Sequence, residues 1–314
     1  MIAQRLMSAS GNKLDPAKLL AVTAYTGDGV SGRSLATGLD QTGGGLLIGS
    51  ARNGSAAPWL KSVADLTVQW DMTGVGTAIN YGSAGVTAVS RTGLTLSNHV
   101  FANAAATPYV LWQLARCQGF MDLVSYAGNG SVRTISHALG AMPRLLIVLC
   151  ASSSTLKSVY HADLGASQGL LLGSTVNASA GPWNSTAPTA NAFTVAADAN
   201  VNGAGNQYLA CLFAEVAGLS KIGSYNGTGN DLFLNLGFRP RLFLVKSSAG
   251  SVQHWLGFDT ARGLIDPGND PALYLDSATA EFNNEFLKPA ASGVTLPPSI
   301  INVAGSTFIY IAMA

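Results

Sequence analysis

Charge is the scarcest commodity in this chain. Only 33 of 314 residues are charged (17 Lys+Arg, 16 Asp+Glu), which is 11% against about 25% in an ordinary soluble domain. The formal net charge is +1, without basic runs. A general nucleic-acid binder needs a basic face for phosphates, so that class is set aside. No stretch reaches the roughly 18 consecutive apolar residues of a membrane helix. The start, Met1-Ile-Ala-Gln-Arg-Leu-Met-Ser, has one positive charge and no apolar segment behind it. No secretory signal is expected, and synthesis in a reducing cytosol is.

Cysteine is almost absent as well. Cys117, Cys150 and Cys211 are an odd number with no close pair. That argues against a disulfide framework and a zinc site, and for small buried apolar residues. The four histidines, His99, His137, His161 and His254, show no i, i+4 pair. No metal and no cofactor are expected. Long helical periodicity is missing too. Asp15-Pro16 could start a helix of at most two turns, and Thr279–Phe286 could hold one or two turns.

What the chain does have is 48% apolar residues and 36 glycines. That is too apolar for a disordered chain. The glycines lack the three-residue period of collagen. They punctuate a repeat instead. Tyr25-Thr-Gly-Asp-Gly29 recurs as Tyr126-Ala-Gly-Asn-Gly130 and Tyr225-Asn-Gly-Thr-Gly229. Each is followed by an apolar run: Leu46-Leu-Ile48, Leu145–Val148, Leu242–Val245. An aromatic landmark follows at Trp59, Tyr160 and Trp255, and the closing runs are Tyr109–Ala115, Tyr208–Ala214 and Phe308–Ala312.

The period is about 100 residues, the size of a small domain rather than a solenoid repeat. The short Val/Ile/Leu/aromatic runs between Gly, Asn, Ser and Pro clusters read as strands and turns. The expected fold is all-β: three tandem antiparallel β-sandwiches, jelly-roll or immunoglobulin-like. The expected boundaries are an N-terminal arm at 1–20 and repeats at 21–118, 119–217 and 218–314. The short linkers Arg116–Asp122 and Glu215–Lys221 predict semi-rigid packing of three separate cores.

Motifs that resemble chemistry are weak. Gly27-Asp-Gly29-Val-Ser-Gly32 spells a dinucleotide fingerprint, but the third Gly is missing from the other repeats and no helix pattern follows. A β-turn is the better reading. Ser154-Thr-Leu-Lys157 has acyl-enzyme spacing, yet it lies in a Ser/Thr loop. The Asp266–Asp270 loop lacks the carboxylate order of a calcium loop. Trp255 with Asp259 and Arg262 is the best ligand cluster, since an aromatic face beside charged groups suits a sugar ring. The alternative is a core Trp255 and an Asp259–Arg262 ion pair.

The third repeat carries Lys221–Gly229, Leu236-Gly-Phe-Arg-Pro-Arg-Leu-Phe-Leu-Val-Lys246, and Trp255-Leu-Gly-Phe-Asp-Thr-Ala-Arg-Gly263. The second carries Tyr126–Gly140 and Met142-Pro-Arg-Leu-Leu-Ile-Val148. These resemble an uncharacterised domain that recurs in virion and tail-associated proteins of tailed bacteriophages. The first repeat departs from it, with Gly43-Gly-Gly45 where the others have Pro-Arg. The resemblance implies a virion structural protein, a tail fibre or spike component, and not an enzyme. Its expected partners are other virion proteins and copies of itself, a trimer by analogy, with neither nucleic acid nor membrane insertion. A host-glycan-binding module and a head decoration or cement protein are the alternatives.

Overall fold

The computed structural model describes residues 14–74, 78–80, 84–264 and 268–314. The chain is nearly all β, and every strand pair is antiparallel. In the first repeat the strands are β1 (Leu20–Thr26), β2 (Arg33–Ala36), β3 (Gly45–Ala51), β4 (Trp59–Ser62), β5 (Asp65–Asp71), β6 (Ala78–Asn80), β7 (Val86–Val89), β8 (Gly93–Leu96) and β9 (Pro108–Ala115). The second has β10 (Met121–Ala127), β11 (Arg133–Ser136), β12 (Leu145–Cys150), β13 (Lys157–His161), β14 (Gln168–Leu172), β15 (Ser179–Ala180), β16 (Ala192–Val195), one helical turn α1 (Ala199–Asn202) and β17 (Gln207–Phe213). The third has β18 (Ser220–Asn226), β19 (Leu232–Asn235), β20 (Leu242–Ala249), β21 (Leu256–Asp259), β22 (Asp270–Tyr274), β23 (Phe282–Asn284), β24 (Lys288–Ala290), β25 (Gly293–Leu296) and β26 (Thr307–Met313).

One strand order occurs three times: β1-β9-β3-β4-β5-β6, β10-β17-β12-β13-β14-β15 and β18-β26-β20-β21-β22-β23. Each six-stranded sheet is faced by a small one: β2-β8-β7, β11-β16 and β19-β25-β24. These are sandwiches, each filled between its two sheets. In the third, Phe243, Val245, Phe308 and Tyr310 meet Leu236, Val294 and Leu296. Leu146, Val148 and Leu212 meet Ile135, Phe193 and Val195 in the second.

The other face of each large sheet is buried as well. Leu46, Ile48 and Trp112, then Leu145, Leu149 and Phe213, then Leu242, Ile309 and Ile311 join one central hydrophobic cluster. The expectation of three separate cores is therefore corrected. Both sheet faces exclude water, so the runs are continuous rather than alternating, as in Leu145-Leu-Ile-Val.

The contacts between neighbouring units run in one direction and close. Ala178 N–H donates to Ser248 O, and Glu281 N–H donates to Arg52 O. Each bond joins the loop after a fifth strand to the end of the next unit's third strand, from second to third and from third to first. Trp70 Nε1–H completes the circle by donating to Cys150 O, from first to second, at 2.8 Å. Arg144 Nε donates to Ile222 O, and Arg241 Nη1 to Leu20 O, again second to third and third to first. A repeated head-to-tail interface that closes makes a ring. The chain is a ring of three units with an apolar centre.

Local details differ from expectation at several points. Asp15 caps a single 3-10 turn, Pro16–Lys18, by accepting from Ala17 N–H. Leu19 and Leu20 enter the central core, so the described part of the arm is docked. Residues 1–13 lie outside the described residues. No helix forms at 279–286, because Phe282–Asn284 of that segment is the strand β23 and pairs with β22. The aromatic landmark is not one position: Trp59 lies opposite Gly49, whereas Tyr160 lies opposite Leu146. The linkers are tight turns, bridged Cys117 to Met121 and Val216 to Ser220.

Candidate functional site

The Tyr-x-Gly-x-Gly turn has the same build in all three units. The first glycine comes so close to the loop before the closing strand that an added Cβ would meet a carbonyl oxygen. The distances are 2.0 Å at Gly27, 2.1 Å at Gly128 and 2.2 Å at Gly227. The second glycine is left-handed, with φ of 73°, 72° and 70° at Gly29, Gly130 and Gly229. No helix follows any of them, so these glycines shape a turn and do not open a dinucleotide site. A buried asparagine that sequence reasoning missed ties the turn down. Asn103, Asn202 and Asn302 accept from the backbone N–H of Asp28, Asn129 and Thr228. Their amides donate back to Val30 O, Ser131 O and Asn230 O. The signal was present as Ala102-Asn, Val201-Asn and Ile301-Asn shortly before each closing strand. The tyrosine ring stacks on the first aromatic of that strand, Tyr25 on Tyr109, Tyr126 on Tyr208 and Tyr225 on Phe308.

Asp259 and Arg262 come together inside the ring, whereas Trp255 turns to a different neighbour. Trp255 is 6% exposed, lies in the central core and donates Nε1–H to Leu171 O of the second unit. Sugar stacking needs an open ring face, which this position lacks; this corrects the reading of Trp255 as an open platform. Asp259 and Arg262 have fully buried side chains that meet at 2.6 Å. Asp259 Oδ2 also accepts from Trp112 Nε1–H of the first unit at 2.8 Å. Arg262 Nη2 donates to Gly257 O, and its guanidinium lies over the Trp112 ring. Glu281 sits 3.6 Å from Arg262 and takes a two-pronged pair from Arg52 of the first unit. A buried charge persists only when paired and hydrogen-bonded. The cluster is thus a joint between the third and first units. Trp112, Arg52 and Glu281 lie far from it in sequence, and no local pattern announces them.

The remaining motifs also take structural places. Lys157 of the Ser154–Lys157 motif is buried and donates to Gly74 O of the first unit. Lys246 bridges to Thr175 O in the second unit, and burial pushes its ammonium down to about 8. Lys61 is held by Leu66 O and Ala84 O, also pushed down to about 8 by burial. The three cysteines are free and buried. Part of the Asp266–Asp270 loop lies outside the described residues. Asp270 itself accepts from the N–H groups of Phe286 and Leu287. Among the described residues no cluster of His, Cys, Asp and Glu could hold a metal.

A cavity of about 440 Å³ opens in the first unit, lined by Ser31, Thr87, Ser97, Asn98 and His99 with Gly32 and Ala84. Its described walls carry hydroxyl, amide and imidazole groups, and no carboxylate or ammonium is among the described lining residues.

A family described as a domain of unknown function (DUF7483) matches residues 114–314, more than half of the chain. The chain belongs to this DUF7483 family. The DUF7483 match starts at the end of β9 and takes in the second and third units, leaving most of the first outside. The first unit is also where the ring departs from its own rule. Leu46, Leu145 and Leu242 pair with the equivalent Leu114, Phe213 and Met313, so Gly45 stands where Arg144 and Arg241 reach across to a neighbour. Buried Gln41 fills that space, donating to Leu114 O and accepting from Gln113. No curated protein matches the chain.

Proposed function

We propose that this protein is a structural component of a bacteriophage virion, a tail fibre or spike part, without catalytic chemistry. The observation that carries the reading is the use made of its polar groups. The charged pair singled out from sequence, Asp259 and Arg262, is spent, together with Glu281, on joining units. Lys157 and Lys246 are spent in the same way. A chain that commits its buried charges to holding a ring together is built for shape. The resemblance of its second and third repeats to virion and tail-associated domains points the same way.

The test is to label this chain in purified particles and image them. Density on the tail supports the reading. Density on the head moves the protein to a decoration role, and absence from particles overturns both. Deleting residues 1–13, and not 1–20, is the variant for an anchoring arm, because Leu19 and Leu20 belong to the core.

Glycan binding is a second reading, now resting on the first-unit cavity and not on Trp255. Its hydroxyl and amide walls suit a neutral sugar. A glycan array with the intact chain, repeated with Asn98→Trp to fill the cavity, decides it. Binding that the substitution leaves unchanged removes the cavity from consideration.

A further inference from the structure

The ring has two different ends. At one, called here the turn end, the Tyr-x-Gly-x-Gly turns, the asparagine loops and the β3–β4, β12–β13 and β20–β21 connections come together. Contacts between units match turn end to turn end: Asn177 Nδ2 donates to Gly250 O, Gly74 N–H to Gly173 O and Glu281 N–H to Arg52 O. The three units are therefore parallel around the ring.

Exposed apolar side chains are concentrated at that end. Eight large hydrophobics are exposed among the described residues, and six of them lie in turn-end loops. They fall two per unit: Val30 and Val100, Val132 and Val176, Val252 and Val303. Met142 is at the opposite end, before β12, and Phe233 is on the outer sheet. Single exposed valines need no explanation, but six sharing one end of a ring form a surface.

We propose that the turn end docks on the turn end of a second copy of this chain, giving two rings face to face. The head-to-tail interface is already closed within the chain, which leaves the two ends and the outer rim for assembly, and the turn end holds six of the eight large hydrophobics exposed among the described residues. Charge selects the partner. Asp28 and Asp231 are exposed at the turn end, with side chains 45% and 57% accessible, and each pairs with a base of its own chain, Arg33 and Lys288. Arg33 and Arg133 stand beside the same turns, donating to Thr26 O and Ala127 O. A face carrying both signs can meet itself across a twofold axis without net repulsion, whereas a strongly one-signed partner gains little. The chain's net charge of +1 leaves no global repulsion to overcome.

The experiment is sedimentation velocity on the intact chain across a wide concentration range. The expected mass is twice 32.2 kDa, returning to the single-chain value in Val132→Asp/Val252→Asp. Met142→Asp, at the other end, should keep the dimer. Should the paired variant not fold, Val303→Cys gives a second route. The native cysteines are buried, so mild oxidation should yield a covalent dimer through position 303. A single-chain mass at every concentration overturns the proposal. So does a dimer indifferent to the valines, or one lost in Met142→Asp. None of these outcomes bears on the virion reading, which particle labelling decides.

Discussion

Trp112 of the first unit and Asp259 of the third share a buried hydrogen bond, indole Nε1–H to carboxylate Oδ2, at 2.8 Å. The ring closes here between units that no linker joins. The Trp112 ring also lies so close to Gly257 that an added Cβ would be 2.5 Å from it. Asp259 holds Arg262 with the same oxygen. Removing the carboxylate therefore leaves a buried guanidinium with only Gly257 O and the more distant Glu281. Asp259→Ala should cost about 3–5 kcal/mol. Trp112→Phe, which keeps the ion pair, should cost about 1–2 kcal/mol. Urea unfolding of both variants and the double variant should show non-additivity, because the two groups share one atom. Additive effects would mean that the closure does not depend on this contact.

The buried asparagines should be worth more than their size suggests. Asn302 accepts from Thr228 N–H and donates to Asn230 O and Leu296 O. Alanine there leaves several buried backbone groups unpaired, at about 1–3 kcal/mol each in the worst case. Asn103→Ala and Asn202→Ala should behave alike, since each holds the same turn. Thermal melting of the three variants checks this, and equal, small shifts under a degree would contradict it.

Glycines at and beside the turns should separate into two kinds. Gly128→Ala would drive a Cβ to 2.1 Å from Gly203 O, so the loop must move. Gly32 has φ of 83° with nothing within 4 Å of an added Cβ. Gly32→Ala should cost only the left-handed strain, about 1–2 kcal/mol, and Gly128→Ala distinctly more. The ratio of their denaturation midpoints reads this out.

Stability should rise from acid to mildly alkaline pH. Burial pushes His161 down to about 4 from 6.5. The unfolded chain binds that proton first, so stability falls as pH drops from 6.5 toward 4. Lys61 and Lys246 are pushed down to about 8 from 10.5. Between pH 8 and 10.5 the unfolded chain again binds more protons, so stability climbs with pH. Burial raises the tyrosines, Tyr310 to about 12. The unfolded tyrosines ionise near 10, which reverses the climb above that pH. Urea midpoints from about pH 4 to about pH 11 should trace this curve. His161→Gln should flatten the acid limb, and Lys61→Met with Lys246→Met the alkaline one.

Much of this was legible in the residues. Runs such as Leu145–Val148 and Leu242–Val245 marked central strands, because backbone pairing and burial favour branched and aromatic side chains. The Gly-x-Gly turns were legible because only glycine tolerates their φ and their close approach to a carbonyl. At Trp255, Asp259 and Arg262 the residue types marked an unusual place without saying which kind. A tryptophan with a charged pair reads the same whether it faces a sugar or a neighbouring unit.

Local sequence alone determined the strands, the turns and the threefold repetition, since each depends on residues within a few positions of one another. Tertiary structure alone decided that the repeats share a centre. That outcome rests on Trp70 reaching Cys150, Trp112 reaching Asp259, and Trp255 reaching Leu171. Those partners are 80, 147 and 84 residues apart. Which face of a sheet meets water is set by what packs on it, and here both faces of the central strands of all three large sheets are covered.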